Sequence, residues 1–289
     1  MSTFSPDEAA ACRTLVKLAL EEDLGPSGDR TSLATIPADA RSTAAFVARS
    51  PGVLAGLPAA EIVAHTVDPA LAFNVIVFDG SPLERGMTLA TLSGSLRSIL
   101  AVERTALNFL QRLSGVATIT RKFVEAVRGH KAKVLDTRKT TPGWRLLEKY
   151  AVRQGGGVNH RIGLYDGILI KDNHLAGLGG DVAGAIESAR RYPGNAGLPV
   201  EVEVDTLDQL RTALTVAADT VLLDNMTCEQ LRAAVGLRDQ MAPTVLLEAS
   251  GGVNLQSISA IAATGVDRIS VGALTHSAPA LDIALDYLE

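Results

Sequence analysis

The chain has 289 residues, 47% hydrophobic and 20% charged, a composition that folds around a core and excludes an intrinsically disordered polypeptide. Its two cysteines, Cys12 and Cys228, belong to no motif, which excludes a disulfide framework and a cysteine zinc site and fits a reducing compartment. A formal net charge of −5 argues against a general nucleic-acid binder, and no apolar run approaches the roughly 20 residues a membrane helix needs. The opening MSTFSPDEAA has neither a basic nor an apolar stretch, so a cytoplasmic location is expected.

In chain order, Ser5-Pro6-Asp7-Glu8 predicts a capped helix start, with proline in the first turn and a capping glutamate. Leu15, Leu18 and Ala19 then recur at helical spacing, and Gly25 follows the end. Residues 27–40 read as loop. Residues 41–114 read as an α+β module, with strands at RSTAAFVAR and FNVIVFDG and a helix over 58–67 between them. SPLERGMTLATLSG reads as turn, short strand, turn. Residues 96–113 predict an amphipathic helix with Leu96, Leu100, Leu107, Leu110 and Leu113 near one stripe, ended by Gly115.

Beyond residue 116 the rhythm changes. Short apolar runs, each ending in a polar residue, alternate with helices: KVLD, GILIKD, VEVEVD, TVLLDN, TVLLEAS and DRISVG. Helices fit 144–154, 181–191, 206–218, 227–238 and 254–264. Such a βα repeat predicts a parallel sheet. KVLDTRKTTPG carries a single glycine, so the dinucleotide-binding loop of a doubly wound sheet is missing. Polar residues at nearly every strand end are instead the habit of a barrel, whose active sites gather at strand C-termini. Six clear runs rather than eight predict an incomplete or open barrel.

The strand ends hold a cationic set, Arg138, Lys139, His160, Arg161 and Lys171, and an acidic set, Glu203, Asp224 and Glu248. Between Asp136 and His174, seven Lys/Arg face four Asp/Glu, an island of +3 in an acidic chain, which points to a local anionic ligand. Arginine holds a carboxylate or phosphate through two parallel hydrogen bonds. The acids suit a hard cation such as Mg²⁺, or positive charge developing at a sugar carbon. Ser250-Gly251-Gly252 and Gly272, with His276 just beyond, follow the last two strands, where barrels often bind phosphate.

Each of these has a plainer counterpart. Arg138 and Lys139 also fit a solvated loop. Asp224 fits a helix N-cap, although Thr227 fits better. Gly155-Gly156-Gly157 fits a helix end, Trp144 and Tyr150 fit packing, and His65 and His130 fit surface or satisfied core positions. Lys171 follows the apolar GILI, where a solvated lysine is awkward. Glu203 and Glu201 share a strand face by alternation. Residue types alone reach a barrel enzyme acting on a multiply anionic substrate, and a Schiff-base aldolase using Lys171 as its amine fits almost as well.

The wording of the segments goes further. DTRKTTPGWRLLEKYAVRQGGGVNHRIGLYDGILIKDNH (136–174) closely resembles the signature of the quinolinate phosphoribosyltransferases. EEDLGPSGDRTS, ERTALNFLQRLSGVAT, EVEV, LLDN, EASGG and ISVGALTHSAP are similar to that family in the same order, so the resemblance spans essentially the whole chain. It implies an N-terminal α+β sandwich over 1–115, with 276–289 packing back on it. It also implies a C-terminal open parallel α/β barrel of about seven strands over 116–275, carrying the active site. The implied reaction is phosphoribosyl transfer from phosphoribosyl diphosphate to quinolinate with decarboxylation, in de novo NAD synthesis, with Mg²⁺ and in a homodimer that shares its active sites.

The resemblance also assigns residues. Thr137, Arg138, His160, Arg161 and Lys171 would bind quinolinate, with Arg104 reaching in from the partner subunit. Arg49, Lys139, Glu203, Asp224, Glu248, Ser250, Gly251, Gly252, Gly272 and His276 would surround phosphoribosyl diphosphate. Lys139, Lys171, Glu203 and Asp224 would be catalytic, and Glu203 and Asp224 would hold the metal. A paralogue with another acceptor and a non-catalytic phosphoribosyl sensor are the competing readings. The complete Arg138, His160, Arg161 and Lys171 set argues against the first, and the lack of an added effector domain against the second.

Overall fold

The computed structural model describes residues 3–288. These form two compact units. The first takes the described residues up to Arg121, then Thr140–Gly156, then those from Leu274 onward; the second takes Lys122–Lys139 and Gly157–Ala273.

The first unit is built on a four-stranded antiparallel sheet. Its order across the sheet is Ile283–Leu288, Arg41–Ala48, Thr88–Ser95, Ala72–Val75. The Arg41–Ala48 strand lies between two neighbours, and Phe46 is fully buried on it.

The helix Pro6–Leu24 starts at the expected capping box, where the Glu8 backbone N–H donates to Ser5 Oγ and the Ser5 N–H donates to Glu8. Its buried stripe is Cys12, Val16 and Leu20, whereas Leu18 is exposed. The apolar face is thus turned from the expected one, because Leu18 adds hydrophobicity on the solvent side. Residues 27–40 are not all loop: Asp29 accepts from the N–H groups of Thr31 and Ser32 and starts a helix, Arg30–Thr35. The strand expected through FNVIVFDG stops at Val75. The chain bends there, and Asp79 turns inward to accept from the N–H groups of Gly56 and Leu57 and from Tyr150 Oη. It thereby caps the helix Leu57–Val67, whose N-cap, Gly56, has no side chain to do so. Burial pushes the Asp79 carboxyl above its ordinary range, against these three hydrogen bonds.

The long helix runs Leu96–Ala126 and passes straight through Gly115. Gly115 is small because another strand of chain crosses it: a Cβ there would sit 2.0 Å from the Pro279 carbonyl oxygen. Close approach, not a helix end, explains this glycine.

The same helix carries a buried ion pair. Glu148 is fully buried and accepts from Arg112 Nη2 at 2.6 Å and Nε at 3.2 Å. Arg112 also donates to the carbonyls of Thr275 and Ala278. Glu148 further receives the Thr141 N–H and hydroxyl. Three separate stretches of chain thus meet at one network. Trp144 stacks on Phe109 with centroids 4.7 Å apart, and Tyr150 is 1% exposed, so both aromatics serve packing.

The second unit is a six-stranded parallel sheet. Its spatial order is Lys133–Leu135, Arg268–Ser270, Leu246–Ser250, Thr220–Asp224, Val200–Val204, Ile168–Ile170. All six expected runs are strands. Each strand after the first pairs with its sequence neighbour, and the last pairs with the first; only the first and second do not pair, so the sheet is open there. At the open edge Val158 makes one parallel bridge to Leu135, the only trace of a seventh strand among the described residues. Helices Val182–Arg191, Leu207–Thr215 and Cys228–Met241 follow as expected. The last two start at capping boxes on Thr206 and Thr227, the latter rather than Asp224. The helix expected over 254–264 shortens to Ile258–Ala262, since Asn254 engages Gln256 and Ser257 in a turn first.

Arg112→Ala would strand the buried Glu148 carboxylate, and breaking such a pair costs about 3–5 kcal/mol. A urea titration should show a correspondingly lower midpoint. An unchanged midpoint would show that the network does not hold these three stretches together.

Candidate active site

The second unit gathers most of the expected groups at the C-terminal ends of its strands. Asp136, directly after Lys133–Leu135, is fully buried. It accepts from the His160 backbone N–H at 2.8 Å and from Asn159 Nδ2 at 2.6 Å. This anchor fixes the segment that carries His160 and Arg161. Thr137 Oγ1 accepts from the Lys139 N–H at 3.1 Å, shaping the loop that carries Arg138.

Arg161 donates to the Gly167 carbonyl at 3.0 Å, while Asp166 accepts the N–H groups of Ile162 and Gly163 and closes the loop. The Arg161 guanidinium is held below its ordinary range, first by burial and then by the charge of Arg138; Glu201 and Asp166 act in the opposite sense. Two guanidiniums close enough to repel each other make a site suited to an anion.

His160 is held from both sides. The Arg161 N–H donates to its Nδ1 at 2.7 Å, so the ring proton sits on Nε2. Nε2 lies 3.0 Å from Glu201 Oε2 and 3.5 Å from Glu248 Oε1. Glu201 comes from Val200–Val204 and Glu248 from Leu246–Ser250. Glu248 is fully buried, and neither of its oxygens has a hydrogen-bond partner. Its carboxyl is pushed up to about 7, first by burial and then by the charge of Glu201, with His160 and Arg268 opposing. The Ser270 hydroxyl bears on it as well, outside hydrogen-bonding geometry. Glu248, expected among the donor ligands, thus lies against His160.

The next pair along the sheet is Lys171 and Glu203. Lys171 Nζ lies 2.9 Å from Glu203 Oε2, with the carboxylate buried and the lysine side chain 46% exposed. The lysine is therefore not buried as its apolar neighbours suggested; the strand ends at Ile170 and its ammonium group is balanced by an acid. That pairing suits charge neutralisation rather than a nucleophilic amine, which argues against the aldolase reading.

Asp224 ends its strand half-buried and accepts from Asn225 Nδ2 at 2.6 Å. Asn225 adopts a left-handed φ of 53° and donates its N–H to the Ser250 carbonyl at 3.0 Å. Gly251 is required there twice over: its φ is 96°, and a Cβ would meet Asn225 Oδ1 at 2.1 Å. Gly252, with open space around it, continues the loop. Gly272 follows the strand Arg268–Ser270. The backbone at Gly252 is therefore open to close approach.

Two groups could take a cation. Glu203 and Asp224 supply hard carboxylate oxygens on adjacent strands. The ligand atoms of His160, Glu201 and Glu248 lie within 4.8 Å of one another, but the positive charge of Arg161 beside Glu201 opposes a dication there.

Three expected residues belong to the first unit. Arg104 is exposed on Leu96–Ala126, Arg49 pairs with Asp286, and His276 is exposed with Nδ1 2.6 Å from Ser277 Oγ. Sequence reasoning missed Asp136, Asp166 and the role of Glu201. Asp136 carried a readable signal, an acid directly after the apolar KVL; Asp166 resembled any loop acid.

The N-terminal domain of the quinolinate phosphoribosyl transferase family matches residues 29–114, and the family's C-terminal domain matches residues 116–286. The chain is 48% identical over 285 residues to the nicotinate-nucleotide pyrophosphorylase [carboxylating] of Mycobacterium leprae, covering 98% of this chain and 99% of that one. It is 42% identical over 290 residues to the mitochondrial quinolinate phosphoribosyltransferase [decarboxylating] 2b of Nicotiana tabacum, covering 94% of this chain and 81% of that one. The solved nicotinate-nucleotide pyrophosphorylase of Francisella tularensis superposes with a TM-score of 0.91 at 41% identity, covering 97% of each chain. With both domains matched in order and the fold shared along its length, the chain belongs to the quinolinate phosphoribosyl transferase family.

Proposed function

We propose that this chain transfers the phosphoribosyl group from phosphoribosyl diphosphate to quinolinate with decarboxylation, giving nicotinate mononucleotide, diphosphate and CO₂, a step of de novo NAD biosynthesis. The observation that carries the reading is the mutually repelling Arg138–Arg161 pair beside His160, with Lys171 and buried acids at the same sheet end. A planar dianion is the ligand that relieves such a pair.

In this reading Arg138 and Arg161, with Thr137 and His160, bind the quinolinate carboxylates. Lys139 and Lys171 add charge toward carboxylate or phosphate. The donor lies along Ser250, Gly251, Gly252, Gly272 and His276, where backbone N–H groups approach its phosphates, with Arg49 as a further cation. The pyridine nitrogen attacks the ribose anomeric carbon and diphosphate leaves. Glu203 and Asp224 hold the ribose hydroxyls and lower the energy of the oxocarbenium-like transition state. Quaternising the nitrogen makes the ring an electron sink. The adjacent C–CO₂ bond then breaks, its electron pair stays on the ring carbon, and that carbon takes up a proton. No covalent enzyme intermediate is needed; positioning and charge supply most of the rate.

Glu203 and Asp224 are the residues that would hold Mg²⁺. Their hard oxygens fit it, since Mg²⁺ is usually bound by one or two carboxylates plus substrate phosphates. Once bound, the ion would neutralise the departing diphosphate. The working form is a homodimer in which Arg104 of one subunit completes the acceptor pocket of the other, in the cytoplasm. No helix among the described residues is long and apolar enough to cross a membrane.

Quinolinate, with phosphoribosyl diphosphate and Mg²⁺, should release CO₂, while nicotinate, which lacks the second carboxylate, should react little. Losing one charged hydrogen-bonded contact of about 1.5–3 kcal/mol amounts to roughly tenfold or more in kcat/KM. Equal rates on the two acceptors would defeat the assigned pocket. Arg104→Ala and Lys139→Ala should each be inactive alone, and mixing them with verified subunit exchange should restore about a quarter of the activity if subunits pair at random and half of the sites in each hybrid are intact. No recovery would refute the shared site.

A further inference from the structure

We propose that Glu201 and Glu248 are positioning residues of the acceptor pocket that act through His160, holding its ring in one tautomer and one orientation; this deepens the function proposed above and rests on it. The geometry is specific. Nδ1 is committed to the Arg161 N–H, and the one remaining ring proton, on Nε2, points between two carboxylates from neighbouring parts of the sheet. The backbone of His160 is pinned separately by Asp136. Ring and backbone are therefore fixed by different acids.

Stability alone does not account for this arrangement. Glu201 Oε1 and both oxygens of Glu248 are buried with no hydrogen-bond partner, a placement that costs free energy and that a well-packed apolar side chain would avoid. What Glu201 supplies is a counter-charge. Glu201 faces both His160 and Arg161, so it keeps the ring and the guanidinium in place before an anion arrives. Glu248 lies behind the ring, facing Glu201 and His160 from one side and Arg268 and Ser270 from the adjoining strand. A single Nε2–H cannot serve both acids. Glu201 is nearer and takes it, which leaves Glu248 as the acid that carries its own proton.

The two acids therefore predict different phenotypes, read on the purified full-length chain with quinolinate as the probe. Glu201→Gln keeps the shape and removes the charge. It should raise the quinolinate KM by about tenfold, the size expected for a charge-assisted hydrogen bond, while the KM for phosphoribosyl diphosphate and kcat move by less than about threefold. In a His160→Ala background the same substitution should raise that KM by clearly less than in the parent, because the ring is gone and only the charge facing Arg161 remains. Glu248→Gln mimics the protonated acid. In the parent chain the quinolinate KM should rise as the pH climbs through about 7, since a new negative charge behind the pocket repels a dianion; in Glu248→Gln that rise should be absent.

A quinolinate KM unchanged by Glu201→Gln, an equal effect with and without His160, or a pH rise that survives Glu248→Gln would overturn the inference. A divalent ion in the purified chain that is lost in either variant would also overturn it, by making the acids ligands. A parent chain that turns quinolinate over while Glu201→Gln binds it equally well removes this inference alone. A parent chain that does not turn quinolinate over removes the proposed function, and this inference with it.

Discussion

Negative charge placed beneath positive charge organises the second unit. Glu201, Glu203 and Glu248 are buried in the sheet, and His160, Arg161 and Lys171 sit over them from the loops. Buried carboxylates are unfavourable in isolation, and guanidiniums crowded together are equally so; each set is tolerable only because the other is present. The outer, cationic layer is what a dianionic acceptor meets. The inner, acidic layer keeps that surface assembled while it is empty and faces a sugar when it turns cationic. One charge arrangement thus serves both the fold and the chemistry.

The backbone makes this possible. Strands of three to five residues bring a side chain to the sheet's end within a residue or two of the last ladder bond. Alternation in Val200–Val204 sends both glutamates to one face and the valines to the other, so one strand supplies the partner of His160 and the partner of Lys171. The gap between the first and second strands is where the segment carrying His160 and Arg161 crosses, held by the Val158 bridge and the Asp136 anchor. An open sheet here makes room for the loop that bears the cations.

Much of this was legible in the residues. All six parallel strands were marked by apolar runs ending in a polar group, and the capping boxes at Ser5, Thr206 and Thr227 marked helix starts. What escaped depended on distant contacts. Gly115 reads as a helix end until Pro279 is known to cross it. FNVIVFDG reads as one strand until Asp79 is needed to cap a helix some twenty residues earlier. Leu18 reads as core because a local pattern does not say which of two offset stripes meets the rest of the protein. The strand-end charges were readable as a set, whereas their pairing, Glu201 and Glu248 with His160 and Glu203 with Lys171, is a property of register that no single segment contains.

The first unit is assembled from stretches far apart along the chain. Its sheet places Ile283–Leu288 beside Arg41–Ala48, which lies far earlier in the sequence. Whenever Ile283–Leu288 is not in place, Arg41–Ala48 exposes one row of unpaired backbone amides and carbonyls, the kind of edge that invites pairing with a neighbouring chain. A change that loosens Ile283–Leu288 would therefore do harm well beyond the residues it touches.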